Sequence, residues 1–148
     1  MPAPSTSEAL PPARPTPELN YLNREFWTGG AEGELRIQRC TDCRSWQHPP
    51  RARCPRCGSG RLAYPAASGR GTVYTFTLIH HAYRPGLTLP VVVALVELDE
   101  QPGLRVTSNI TGCPPAAVAI GQPVSAVFED QENGIFVPLF EPIEKVST

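Results

Sequence analysis

Two short motifs, Cys40-Thr41-Asp42-Cys43 and Cys54-Pro55-Arg56-Cys57, are separated by ten residues and decide the fold of the first half of this chain. Each Cys-x-x-Cys turn places two thiolates on one side of a tight knuckle, and two facing knuckles form a tetrahedron of sulfur around one metal ion. This spacing favours zinc, with iron and a pair of disulfides as the alternatives. Four thiolates leave no position for water or substrate, so we expect one structural Zn²⁺.

The segment around these cysteines is poor in apolar residues and rich in arginine. Metal binding would supply folding free energy on the order of 10 kcal/mol, which explains how such a segment can fold. Only Glu34 and Asp42 oppose its arginines, which either hydrate the surface or recognise an anion. Arg51 and Arg53, nearest the second knuckle, are the first candidates for contact with an anion. The full set is Arg36, Arg39, Arg44, Arg51, Arg53, Arg56 and Arg61.

The residues before the ribbon are predicted to form a tail and a helix. Residues 1–16 hold five prolines and no periodic apolar pattern, which is typical of a disordered tail. Pro17 suits a first helical position and Gly29 an end, so the pattern predicts a helix over 17–29. A helix of about three turns is marginal alone and must pack on its own domain or on a partner. Its candidate partner-binding residues are Leu22, Phe26 and Trp27.

The remainder of the chain is predicted to be mainly β. Residues 34–39 alternate, with Gln38 on the polar side, and lead into a ribbon over 34–65. The stretches 72–81 and 90–98 are rich in β-branched and aromatic residues, and residues 70–143 predict a barrel whose strands lie at 72–81, 90–98, 104–111, 123–129 and 135–140. A connector at 116–120, between the third and fourth strands, matches the order of a five-stranded OB-fold barrel, although an SH3-like barrel has the same strand count.

Charge is distributed unevenly between the two halves of the chain. Residues 1–70 carry ten arginines against six acidic residues, a net charge of +4, whereas residues 71–148 carry a net charge of −5. Nucleic-acid binding, a frequent role of zinc ribbons and OB-folds, calls for a basic barrel, so it is the weaker alternative here. The sequence has no apolar run long enough to span a membrane and no secretory signal pattern, which predicts a cytoplasmic protein.

The sequence offers little for independent catalysis. No nucleophile lies beside a base at a known motif spacing, and Cys113, the only cysteine outside the two motifs, is typical of an inert buried thiol. His80 and His81 lie at the end of a predicted strand, and one of them, with Tyr83 and Arg84 in the following loop, is a candidate ligand contact, although a polar strand end is the commoner role. We therefore expect no catalytic residues in this chain.

Several short motifs in order make the chain resemble a bacterial and archaeal family that was long filed as a domain of unknown function. They run through Phe26-Trp27, Glu32-Gly33-Glu34-Leu35, Arg39-Cys40, His48-Pro49-Pro50-Arg51, Cys54-Pro55, Cys57-Gly58-Ser59, Gly69, Gly71, Val73, Val96-Glu97-Leu98-Asp99-Glu100, Ile120-Gly121-Gln122-Pro123-Val124 and Pro138-Leu139-Phe140-Glu141-Pro142. The resemblance covers about residues 20–143 and departs at Tyr64, where relatives often carry tryptophan.

The resemblance implies an N-terminal helix, a rubredoxin-like zinc ribbon and an OB-fold. It also implies an acyl-CoA context, because similar proteins are accessory subunits of thiolase-superfamily enzymes, including thiolases and lipid-transfer-protein-type aldolases of lipid and steroid side-chain degradation. On this interpretation the chain is a non-catalytic partner of such an enzyme. Its candidate CoA contacts are Arg51, Arg53, His80, Tyr83 and Arg84.

Overall fold

A computed structural model describes residues 14–143, so most of the tail predicted over 1–16 lies outside the described residues. The helix predicted over 17–29 is shorter than expected: helix α1 spans Arg24–Thr28 and continues as a 3₁₀ turn over Gly29–Glu32. Two asparagine side chains account for the late start. The Asn20 Oδ1 atom accepts hydrogen bonds from the backbone N–H groups of Leu22 and Asn23, and Asn23 Oδ1 accepts one from Asn20. Such local bonds compete with helix formation.

The ribbon consists of five very short strands in two small sheets. The strand predicted over 34–39 is divided at Ile37, whose N–H group donates to the Pro65 carbonyl instead of continuing a ladder. One sheet has the order β3-β2-β4 and the other pairs β1 with β5. The strands are β1 (Leu35–Arg36), β2 (Gln38–Cys40), β3 (Trp46–Gln47), β4 (Leu62–Ala63) and β5 (Ala66–Ala67).

The second half is a five-stranded barrel with the order β10-β9-β6-β7-β8. A parallel bridge between Ile110 and Phe140 joins the two outer strands, so the third barrel strand meets the fifth. A 3₁₀ turn over Pro115–Ala117 connects the third strand to the fourth. This topology is that of an OB-fold, as the sequence predicted. The strands are β6 (Arg70–Ile79), β7 (Val91–Leu98), β8 (Arg105–Asn109), β9 (Pro123–Asp130) and β10 (Phe136–Pro142).

The barrel core follows from strict alternation along the strands. Along β7 every second side chain is buried and the intervening ones are half-buried, the pattern of a strand with one face in the core. The inward residues of β7 are Val92, Ala94, Val96 and Leu98. Within residues 14–143, no helix is long and apolar enough to cross a membrane.

The turn between β7 and β8 fixes the ribbon to the barrel. The side-chain amide of Gln101 donates from Nε2 to the Trp46 carbonyl and accepts at Oε1 from the Trp46 N–H group, both at 2.9 Å. It therefore pairs with the edge strand β3 as a neighbouring backbone would. The adjacent Glu100 accepts a 2.6 Å hydrogen bond from the Ser68 N–H group. These contacts give the ribbon a defined position on the barrel.

Helix α1 packs on the chain's own core through one aromatic side chain. Phe26 is 6% exposed and belongs to the apolar core shared with the barrel. Its ring lies edge-on to Trp27 at a centroid distance of 4.8 Å and lies 4.7 Å from the His48 ring. Phe26 is thus a core residue rather than a free partner contact, whereas Leu22 and Trp27 remain half-buried.

Replacing Phe26 by alanine should lower the free energy of unfolding by about 3–5 kcal/mol, because it leaves a cavity between the helix and the barrel. Denaturant unfolding of the zinc-loaded chain measures this change. Tyr21→Ala is the control: Tyr21 is 76% exposed, and its loss should change stability by no more than about 0.5 kcal/mol. Equal effects of the two changes would contradict the packing described for Phe26.

Candidate metal centre

The four cysteines of the two motifs converge on one point. Their Sγ atoms all lie within 4.8 Å of one another, and the Cys40–Cys57 and Cys43–Cys54 pairs are 3.6 Å apart. A Zn–S distance of about 2.3 Å places the sulfurs of a tetrahedral site about 3.8 Å apart, so the arrangement fits one zinc ion. A disulfide requires about 2.05 Å, so the thiols are not paired as disulfides. The centre holds one structural zinc.

In both knuckles a backbone N–H group donates to the sulfur of the first cysteine. The N–H group two residues beyond Cys54 donates to its sulfur at 3.3 Å, and the Cys43 N–H group donates to the Cys40 sulfur at 3.4 Å. Donors of this kind favour the thiolate. The backbone N–H groups of Cys57 and Arg56 hold the pKa of Cys54 down to about 6, against the opposing effect of burial. The first sulfur of each knuckle, that of Cys40 and that of Cys54, is therefore prepared as an anion for a cation.

One difference separates the knuckles. After the second cysteine of each motif the backbone is left-handed, with a φ of 79° at Gly58 and 70° at Arg44. The N–H groups of these residues donate equivalently, to the carbonyls of Cys54 and Cys40. Glycine adopts this conformation freely, whereas any residue with a Cβ atom loses about 1–2 kcal/mol there. The first knuckle is therefore strained at Arg44.

The arginines of the ribbon fall into two groups. Arg36 forms ion pairs of 2.8–3.0 Å with three carboxylates, those of Glu25, Glu32 and Glu34, so its charge is neutralised on the helix side. The other six are named here the ribbon arginines. Asp42 is their single carboxylate partner among the described residues, and it lies 3.9 Å from Arg61. The ribbon arginines are Arg39, Arg44, Arg51, Arg53, Arg56 and Arg61.

A buried glutamine that the sequence placed on the polar side of a strand organises the ribbon. Gln38 is 1% exposed, and its Oε1 atom accepts hydrogen bonds from Gln47 Nε2 and from the Arg51 N–H group. Its Nε2 atom donates to the Arg51 carbonyl and to Tyr64 Oη. Gln38 therefore fixes the backbone of Arg51, and Tyr64 closes the same network. No local signal distinguishes such a glutamine from a solvated one.

The remaining predicted site residues are divided between the ribbon and the barrel. Arg53 donates from Nη1 to the Gly58 carbonyl of the second knuckle, whereas the Arg51 side chain is exposed. Residues 80–90 form the loop between β6 and β7, which carries His80, Arg84 and the half-exposed Tyr83 on the barrel. Cys113 is partly buried against the core. The candidate contacts thus form one group on the ribbon and another on a barrel loop.

His48 is a second residue whose role the sequence did not reveal. It packs against Phe26 where the helix meets the ribbon. Burial lowers the pKa of His48 from its ordinary value of 6.5 to about 4, so the ring is neutral at pH 7. Sequence reasoning used this residue only as part of a motif, because burial by a helix from another part of the chain leaves no local signal.

Stability should fall with acidification because of His48. The pKa of this side chain is lower in the folded state, so its contribution is complete above pH 6.5 and is lost as pH falls towards 4. Between pH 7.5 and 5 the native chain should lose about 2 kcal/mol more than a His48→Gln variant, which lacks the titrating group. Parallel denaturation series at the two pH values measure this difference, and equal losses would refute the assignment.

The metal centre predicts a defined thiol count. The native chain should contain one zinc, and Cys113 should be the only cysteine that reacts with a thiol reagent while the metal is bound. Chelation under denaturing conditions should release the zinc and expose five thiols. Cys54→Ser should abolish stoichiometric zinc binding, and the matched change Cys113→Ser should preserve it. Iron in the purified protein, or full metal content in Cys54→Ser, would contradict the assignment.

Comparison with known proteins agrees with this architecture. A family model described as the ChsH2 rubredoxin-like zinc ribbon domain matches residues 27–63, and one described as the ChsH2 C-terminal OB-fold domain matches residues 64–129. A chain of the solved "Ltp2-ChsH2(DUF35) aldolase" superposes with a TM-score of 0.77 at 36% identity, and the match covers 86% of this chain and 98% of that one.

Two curated relatives have different names. A "DUF35 domain-containing scaffold protein" of Methanocaldococcus jannaschii is 37% identical over 114 residues, which cover 72% of this chain and 79% of the relative. The "3-oxo-4,17-pregnadiene-20-carboxyl-CoA hydratase alpha subunit" of Mycobacterium tuberculosis is 44% identical over 121 residues, 81% of this chain and 38% of the relative. The chain spans about two fifths of the length of the hydratase subunits that it matches.

Proposed function

This chain belongs to the DUF35 (ChsH2) family, and on that premise we propose that it is a non-catalytic accessory subunit of a thiolase-superfamily enzyme acting on acyl-CoA. The observation that carries the proposal is the match to nearly the whole ChsH2(DUF35) chain of an aldolase assembly, at 98% coverage. The shared domains and their shared order support docking on an enzyme through the corresponding face of this fold. The partner enzyme is a thiolase or a retro-aldolase.

The chemistry of the metal centre supports an accessory role. Four thiolates complete the zinc shell, so the ion has no position at which to polarise a carbonyl or activate water. Zinc then stabilises a surface instead of reacting. The name "scaffold protein" of the archaeal relative agrees with a structural rather than a catalytic role. The hydratase names belong to longer proteins, in which the part this chain matches is the minor share.

The helix region is the proposed docking surface for the enzyme. Phe26 anchors α1 to the core, which leaves the half-buried Leu22 and Trp27 and the exposed Tyr21 beside it. Aromatic and aliphatic side chains on a rigid support are typical of the buried centre of a protein interface. In this arrangement the partner supplies the catalytic cysteine, histidine or tyrosine, and this chain completes or shields the substrate channel.

An acyl-CoA substrate is supported by charge and by the relatives. The ribbon arginines offer guanidinium groups with little neutralisation, and guanidinium forks bind phosphate groups well. We assign the CoA contacts to Arg51, Arg53, His80, Tyr83 and Arg84. The CoA compound in the name of the mycobacterial relative supports a proposed reaction in lipid or steroid side-chain degradation.

Affinity purification of the tagged chain from its own cells should recover a thiolase-superfamily protein. A Leu22→Asp change should reduce that recovery several-fold, because it puts a charge into the proposed interface. Ile120→Asp is the matched control: it changes an exposed aliphatic residue on the barrel, 67% accessible, and should leave the recovery unchanged. Mass spectrometry of the eluates, normalised to the bait, gives the measurement.

Two results would count against this proposal. Recovery of RNA-associated proteins without an acyl-CoA enzyme would favour the nucleic-acid role instead. Equal losses with Leu22→Asp and Ile120→Asp would remove the helix region from the interface.

A further inference from the structure

The strain at Arg44 is not needed for the fold of the knuckle. The second knuckle makes the same turn and the same hydrogen bond with Gly58, at nearly the same φ. Glycine at position 44 would therefore form this turn without strain. The left-handed Glu132 lies in the turn between β9 and β10, where such conformations are ordinary. A strained residue that the fold does not require is grounds for a functional hypothesis.

Within the described part of the chain, no polar side-chain contact compensates the strain at Arg44. Among residues 14–143, its guanidinium group has no hydrogen bond or ion pair, and the side chain is exposed. The nearby Asp42 accepts a hydrogen bond from Ser59 and faces Arg61 at 3.9 Å. Asp42 therefore contacts Ser59 and Arg61 rather than Arg44, and the charge of Arg44 has no carboxylate partner among the described residues.

A second arginine is held against the same turn. Arg39 donates from Nε to the Arg44 carbonyl at 2.8 Å, and its guanidinium group lies 4.7 Å from the centre of the Trp46 ring. Trp46 is in turn fixed by Gln101 of the barrel. The position of the Arg39 guanidinium is thus set by two contacts, one of them to a ring that the barrel holds in place, which reduces the entropy lost when it binds a ligand.

We infer that Arg39 and Arg44 form an anion site at the first knuckle that binds the phosphate groups at the nucleotide end of CoA. This inference rests on the proposed acyl-CoA function and deepens it. Two guanidinium groups without an acidic partner suit a phosphate, which accepts paired N–H donors from each. The assignment adds Arg39 and Arg44 of the first knuckle to the CoA contacts proposed above, which include Arg51 and Arg53 beside the second knuckle.

Because Arg44 is strained, one substitution there tests both the stability of the chain and its affinity for the anion. Arg44→Gly should raise the melting temperature of the zinc-loaded chain by about 3 °C, because it relieves the backbone. The same change should weaken binding of adenosine 3′,5′-bisphosphate about tenfold, because it removes a charge-assisted contact. Arg44→Lys keeps the charge and the strain, so its melting temperature should be that of the native chain. Its affinity for the bisphosphate should lie between that of the native chain and that of Arg44→Gly. Differential scanning calorimetry and titration calorimetry give the two readouts.

Arg61→Gln is the matched control, because it removes the same charge from the same ribbon at a site 79% exposed. It should leave the melting temperature unchanged and weaken binding by no more than about twofold. Native affinity in Arg44→Gly, or an equal loss in Arg61→Gln, would overturn the anion site. So would a wild-type chain without affinity for the bisphosphate.

The outcomes also separate this inference from the proposed function. If an acyl-CoA enzyme is recovered with the chain and Arg44→Gly binds the bisphosphate normally, the accessory role stands and the anion site falls. If no such enzyme is recovered but Arg44→Gly selectively weakens bisphosphate binding, the anion site stands and the accessory role falls. A change that impairs only recovery of the enzyme would make Arg44 a protein contact and overturn the inference.

Discussion

The attraction between four thiolates and one divalent cation is the constraint on which the rest of this structure depends. No strand of the ribbon exceeds three residues, and such strands cannot hold a sheet together without another source of free energy. Without the cation, four partly ionised sulfurs within 4.8 Å would repel one another. Zinc binding turns that repulsion into the main stabilisation of the ribbon. The knuckle turns, the position of Arg44 and the pairing of β2 with its neighbours follow from it.

The metal fixes the ribbon internally, and side-chain amides extend that order to the rest of the chain. Gln38 uses its amide to join β2 to the backbone of Arg51, and Gln101 uses its own to join β3 to the barrel. Both amides replace backbone pairing where the strands are too short to supply it. The ribbon, the barrel and α1 therefore form one unit, so the proposed partner would not have to order them separately.

The parts of the fold that were predictable from sequence are those encoded locally. The cysteine spacing predicted the metal centre, and alternating apolar residues predicted the barrel strands, because both patterns are set by neighbours along the chain. The failures come from contacts between distant residues or from side chains competing for the backbone. Asn20 shortened the predicted helix, and Gln38 proved to be buried because Ile37 breaks the strand before it. Arg36 belongs with the acidic residues of the helix rather than with the ribbon arginines.

The distribution of carboxylates argues for an external anion more strongly than net charge does. Three glutamates surround Arg36, although one would neutralise it, while six ribbon arginines share a single distant aspartate. A chain selected only for stability would gain from moving one of those carboxylates to the knuckles, where like charges repel. The arrangement instead leaves positive charge beside a metal centre that cannot itself react. On the proposed assignment, the zinc holds cationic side chains in place, and the phosphate groups of CoA supply the complementary charge from outside the chain.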